Sequence, residues 1–168
     1  MTAVFVFDLD NTLINLQNED VVRFPMDYSY HIKPNPVLYQ LIDRIPFPKF
    51  IFSNASHSHV MYSLNALSFD SHSLIKKMSD IYSYTNIKVY KPDPMAYHLV
   101  QERIAHILRS REFKVFFFDD LPDNLVTAKK FNWTTILIGK QMTYNPFIDY
   151  IFPTIEDALF YFNQMLHK

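Results

Sequence analysis

Apolar runs and polar breaks alternate along this chain in a pattern that predicts a sheet covered by helices. Residues 4–7, VFVF, form an uninterrupted apolar run, which suits a strand buried on both faces. Runs at 49–53, 114–118 and 134–138 read the same way, and a short fifth strand is predicted at 150–152. Between them apolar residues recur at helical spacing. Val37, Leu38, Leu41, Ile42 and Ile45 mark one helix, opened by an Asn35 cap with Pro36 at the first helical position, and stopped by Pro46 and Pro48. Val60, Met61, Leu64 and Leu67 mark a second helix over 57–67. A third runs over 94–108, with Asp93 as cap, Pro94 at its start and Tyr97, Val100, Ile104 and Leu108 as its stripe. Helices are also predicted over 122–131 and 155–166, the latter with Ile155, Leu159, Phe162 and Leu166 on its buried side. An edge strand is expected near 87–89, while 69–78 fits either a short helix or a strand. Residues 14–34 hold no sustained period and predict an irregular insert containing at most a short hairpin. Strands alternating with helices give an α/β class, a three-layer α/β/α, Rossmann-like core with a central, mostly parallel sheet. At 168 residues the whole chain, 1–168, is expected to form one domain.

Three of the strong strands end in polar groups. Asp8 and Asp10 follow the first, Ser53 and Asn54 the second, and Asp119 and Asp120 the third. In an open α/β sheet, ligands bind beyond the carboxyl ends of the strands, so these groups and Lys91 are expected to converge there. Taken singly, DLDNT also fits a solvated turn, because Asp-Asn is common turn chemistry. Taken together, three or four carboxylates at one edge repel one another and call for a cation. Oxygen ligands without cysteine favour Mg²⁺, the usual partner of phosphates. Lys91 and the Ser53 hydroxyl could hold phosphoryl oxygens. A carboxylate such as Asp8 can act as a nucleophile through an aspartyl phosphate, with Asp10 close enough to serve as acid and then base.

Composition narrows the options further. With 16 basic and 17 acidic residues the formal charge is -1, which gives no support to broad nucleic-acid or anionic-membrane binding. The absence of cysteine removes disulfides, zinc-thiolate sites and thiol catalysis. A single glycine, Gly139, rules out a glycine-rich phosphate loop, so side chains and ordinary amides must hold any phosphate. No signal-like segment opens the sequence and no stretch approaches a membrane span, so a cytoplasmic location is expected. Trp133 and the Phe-rich strands are expected in the core. The histidines read as scattered, with His59 expected to cap or pack within its helix. The lysine pairs at 76–77 and 129–130 read as solvated faces.

The segments FDLDNTL, FSNAS, KPDP and FFDDLPDN resemble, in order, the four signature segments of the haloacid-dehalogenase-like hydrolases. The likeness covers roughly residues 4–140. Within that superfamily the wording, including His59 after SNA, resembles the pyrimidine 5'-nucleotidase branch. The resemblance implies Asp8 as nucleophile and Asp10 as general acid/base, with the Asp10 backbone carbonyl also on magnesium. It implies that Thr12 fixes the loop around these acids and takes part in the phosphate site. Ser53 would bind the phosphoryl group with the backbone amide of Asn54, and Lys91 would pair with both phosphoryl group and nucleophile. Asp119 would ligate magnesium directly, Asp120 directly or through water, with Asp8 completing the metal set. Asn124 would support that loop.

The implied activity is a Mg²⁺-dependent phosphatase acting on phosphomonoesters, with a nucleoside 5'-monophosphate as one substrate. Many relatives carry a cap domain between the first two segments. Here only about 20 residues are free for one, which predicts a minimal cap or flap, with Phe24, Met26, Tyr28 and Tyr30 as its substrate contacts. An open site leaves room for a phosphoprotein or other macromolecule, or for a second copy of the chain that completes the site. A regulatory or binding module without catalysis is the remaining alternative.

Overall fold

The computed structural model describes residues 1–16, 21–23, 30–140 and 145–166. Six strands form one sheet: β1 (Thr2–Phe7), β4 (Lys49–Phe52), β5 (Asp80–Tyr82), β6 (Phe113–Asp119), β7 (Thr134–Ile138) and β8 (Tyr150–Phe152). Their order is β5-β4-β1-β6-β7-β8 and every pairing is parallel. Because β1 lies between β4 and β6, the acids of the first segment, Ser53 and Asp119 stand on three adjacent strand ends. A two-stranded antiparallel ribbon, β2 (Val21–Arg23) and β3 (Tyr30–Ile32), occupies part of the predicted insert. The proposed flap contacts Phe24, Met26 and Tyr28, and the side chain of Tyr30, lie outside the described residues.

Alternation along the strands sends side chains to two cores. Phe5 and Phe7 of β1, Phe118 of β6 and Ile136 of β7 pack on one face against α1 (Pro36–Asp43), α2 (His57–Leu67) and α6 (Ile155–Leu166). Val4, Val6, Phe52 and Phe117 pack on the other against α4 (Pro94–Leu108) and α5 (Pro122–Lys130). The result is the predicted α/β/α sandwich. The caps follow their chemistry: Asn35 accepts from the Leu38 amide at 2.9 Å and Asp93 from the Met95 amide at 2.9 Å, each just ahead of a first-position proline.

Two local readings are corrected. The edge strand is Asp80–Tyr82, not 87–89, and it is followed by a one-turn helix, α3 (Tyr84–Ile87), closed by Lys88 at φ +62°. Residues 69–78 contain a short 3₁₀ turn, Ile75–Lys77. Lys77 and Lys129 are also more than solvated charges: Lys77 pairs with Asp43 over the Tyr39 ring, and Lys129 with Asp149. Among the described residues no helix is long and apolar enough to cross a membrane.

Candidate active site

β1 runs from a buried apolar strand directly into Asp8, which is held from two sides. Thr12 Oγ1 donates to Asp8 Oδ2 at 3.0 Å, and Lys91 Nζ donates to Asp8 Oδ1 at 2.8 Å. The loop beyond is a tight turn in which the Leu9 carbonyl accepts from the amides of Thr12, Leu13 and Ile14. Asn11, at φ +58°, makes the reversal, and asparagine tolerates that region better than most residues.

Lys91 enters from the segment before α4 and is 4% exposed. Its ammonium uses all three donors: Asp8 Oδ1, Asp119 Oδ2 at 2.7 Å and the Phe52 carbonyl at 2.8 Å. The rings of Phe52 and Phe117 flank it at 5.0 and 5.3 Å. Burial pulls the lysine pKa down, but Asp119 and Asp8 outweigh it and hold the ammonium above its ordinary value. To contact a phosphoryl oxygen, Lys91 must exchange one of these three bonds.

Asn54 is a strut for that lysine. Its Oδ1 accepts from the Lys91 amide at 2.7 Å and its Nδ2 donates to the Lys91 carbonyl at 3.0 Å, so the loop after β4 and the lysine segment are locked together. Ser53 is buried at the end of β4, and its Oγ accepts from the Ala55 amide at 3.1 Å, which leaves the hydroxyl proton to donate elsewhere.

At the end of β6, Asp119 is fully buried. Its Oδ1 accepts from the Leu121 amide at 2.9 Å, Asn124 Nδ2 bridges both carboxylate oxygens at 2.9 and 3.0 Å, and Lys91 takes Oδ2. Asn124 thus fixes Asp119, while Tyr97 Oη donates to the Asn124 carbonyl at 2.8 Å from beneath.

Asp8, Asp119 and Asp120 bring ligand oxygens within 4.8 Å of one another. Burial raises the Asp8 pKa to about 7, with Asp119 and Asp120 adding to the rise against the pull of Lys91. Burial and the Asp119 charge raise Asp120 to about 6. One ammonium among three carboxylates leaves a net negative charge, which fits a hard divalent cation held by these oxygens.

Asp10 stands apart from this cluster, with its side chain about one-third exposed, and its Oδ1 meets His59 Nε2 at 2.9 Å. That hydrogen bond raises the His59 pKa, against burial. The expectation that His59 caps or packs in its helix is therefore corrected. Its ring reaches across 49 residues to an acid, a contact that spacing along the chain does not reveal. The available signal was its place in the first turn of the helix that follows the Ser53 strand end.

A cleft of about 920 Å³ opens beside the acids. Asn11, Thr12, Asp120, Leu121, Lys33, Lys140 and Glu156 are among the residues that line it; Asp8, Asp10 and Ser53 are not in its lining.

No family model matches the chain, and no curated protein does. Solved structures do match in fold. L-2-haloacid dehalogenase from Xanthobacter autotrophicus aligns at TM-score 0.69 and 15% identity, covering 98% of this chain and 100% of that one. CbbY from Rhodobacter sphaeroides, in complex with phosphate, aligns at 0.62 and 14%, covering 94% and 96%. YfnB of Bacillus subtilis, described as a HAD-hydrolase and bound to magnesium, aligns at 0.58 and 18%, covering 77% and 55%. The chain thus spans about half the length of the longer structures it matches, 55%.

Proposed function

We propose that this chain, which has the fold of the haloacid-dehalogenase-like hydrolases, is a Mg²⁺-dependent phosphomonoesterase working through an aspartyl phosphate. The observation that carries the reading is the buried Lys91 ammonium between Asp8 and Asp119, with Asp120 alongside. A lysine between two carboxylates orients a nucleophile without removing its charge. The surplus of acids over cations leaves a place for a metal. Neighbours of this fold that hold phosphate or magnesium support the same reading.

In the proposed reaction Asp8 attacks phosphorus while the bond to the leaving oxygen breaks and Asp10 supplies the proton to that oxygen. Water then attacks the same phosphorus, Asp10 takes its proton, and the bond to Asp8 breaks to release phosphate. Thr12 and Lys91 hold Asp8 on line, and the Ser53 hydroxyl with the Asn54 amide receives the phosphoryl oxygens. Asp8, Asp119 and Asp120, with the Asp10 carbonyl, would hold Mg²⁺, which when bound neutralises charge on the transferring group.

Dehalogenases share the fold, but halide leaves without a proton. The second acid, held by a histidine, therefore favours an oxygen leaving group. The cleft beside Asp120 has room for a small organic leaving group, which supports a small phosphorylated metabolite. A pyrimidine nucleoside 5'-monophosphate is the candidate that the wording of the four segments favours. A phosphoprotein is the second reading, favoured by the lack of a helical cap among the described residues between β1 and α1.

The test is phosphate release from nucleotides, sugar phosphates, phosphopeptides and an aryl phosphate, with and without Mg²⁺. Turnover should require Mg²⁺ and fall to background in Asp8→Asn at unchanged fold. Preference for a pyrimidine nucleotide would support the first substrate class, and activity confined to phosphopeptides the second. Silence across the panel, with the fold intact, would overturn catalysis in favour of a binding module.

A further inference from the structure

The two acids of the first segment are held in different ways. The Asp8 carboxylate is held by donors from two segments, Thr12 and Lys91. Asp10 lies in a loop whose backbone is fixed by the Leu9 carbonyl, but its partly exposed carboxylate would turn freely without a side-chain partner. His59 supplies that partner. It occupies the first turn of α2, where its amide donates to the Ser56 cap at 3.3 Å, and α2 begins four residues after Ser53. One stretch of chain thus carries both the Ser53 hydroxyl proposed above to receive the phosphoryl oxygens and the imidazole that faces Asp10.

We infer that His59 is the positioning residue of the acid: its Nε2–H fixes Oδ1 of Asp10 and leaves Oδ2 as the oxygen that exchanges protons with the substrate. This rests on the phosphomonoesterase reading. A carboxylate oxygen only accepts, so the 2.9 Å contact requires the proton on Nε2. An oxygen that already faces an N–H donor is the poorer place for an acidic proton, so the transferable proton sits on Oδ2. In the first half-reaction that proton passes from Oδ2 to the leaving oxygen as its bond to phosphorus breaks. In the second, Oδ2 takes a proton from the attacking water. His59 neither gains nor loses one, and it touches neither substrate nor phosphorus.

The inference separates substrates by how much they need an acid. An alkoxide leaving group must be protonated as it departs, whereas 4-nitrophenolate leaves without help. His59→Ala should therefore lower kcat/KM for an alkyl phosphate such as glycerol phosphate by about 10- to 100-fold, the usual cost of a misplaced group. With 4-nitrophenyl phosphate the loss should stay within about threefold, because the step that needs the acid is bypassed. His59→Gln, which can place an amide N–H near the same point, should recover most of the loss on the alkyl substrate. Equal losses on both substrates, no loss on either, or no recovery by glutamine would overturn the assignment.

A second readout needs no turnover. In the metal-free protein, nitrogen-15 spectra of the imidazole should show Nε2 protonated, and Asp10→Ala should release that preference; the opposite tautomer in the wild type would overturn the inference. Failure of the underlying reading looks different. A wild-type protein without Asp8-dependent phosphate release would sink the phosphatase and this proposal together. An active wild type in which His59→Ala ignores the leaving group would sink this proposal alone.

Discussion

Strand β4 has a buried lysine at each end, and the two have opposite surroundings. At its carboxyl end Lys91 meets two carboxylates and the Phe52 carbonyl, and its charge is reinforced. At its amino end Lys49 finds, among the described residues, only carbonyls as hydrogen-bond acceptors, Ile45 at 2.6 Å and Phe47 at 3.0 Å. Burial lowers the Lys49 pKa, with the Lys77 charge adding to that and Asp43 opposing it. Lys49 ties off the turn that ends α1, a structural task that dipoles can manage. Lys91 balances charges that have no structural purpose, since apolar residues would fill the same space at lower cost. A buried lysine is therefore informative only through the company it keeps.

Replacing each lysine by methionine should expose the difference most sharply. Lys91→Met strands Asp8 and Asp119 together and should cost about 3–5 kcal/mol as well as all turnover. Lys49→Met loses two bonds to carbonyls but removes a poorly compensated charge, so stability should change by about 1 kcal/mol or less, with turnover retained. Denaturant melts and phosphate release on both variants measure this; equal effects would erase the contrast.

A smaller effect comes from pH. Asp8 at about 7 and Asp120 at about 6 both lie above their unfolded value of 3.8. The folded metal-free protein therefore binds more protons than the unfolded chain between pH 4 and 7. The stability that these two groups contribute is greatest at the acid end of that window and is lost as pH rises through it. Mg²⁺ binds the ionised carboxylates, so the melting temperature gained from Mg²⁺ should grow from pH 5 to pH 8. A gain that is flat or shrinks with pH would mean the cation binds elsewhere.

The smallest effect belongs to the amino end of the sheet. Arg109 closes α4 at φ +53°, a region glycine occupies without a Cβ penalty. Arg109→Gly should stabilise by about 0.5–1 kcal/mol and leave turnover alone, which thermal melts and the same assay would check.

The same contrast explains what could be read from the residues. The strands, the helix caps and the strand-end polar groups were legible because each rests on local chemistry: an apolar run, a proline after an asparagine or aspartate, an acid just past a buried strand. Asp80–Tyr82 escaped because its apolar run is two residues long, between Asp80 and Ser83. The apolar pair Ile87 and Val89 looked more strand-like until Lys88 turned left-handed between them. Asn54 as the strut of Lys91, and His59 as the partner of Asp10, depend on contacts 37 and 49 residues apart. No period or cap records such distances.

The central position of β1 also governs the order in which this protein can become itself. β1 is made before both of its neighbours, β4, paired from Phe5 to Lys49, and β6, paired from Thr2 to Phe113. Pairings of such long range are slow to form. During synthesis Asp119 follows Asp8 by more than a hundred residues. A growing chain therefore carries Asp8 long before it can assemble the charges around it, and during that interval the phenylalanines of β1 are open to wrong partners. The charge cluster of the proposed site is complete only when the sixth strand closes beside the first.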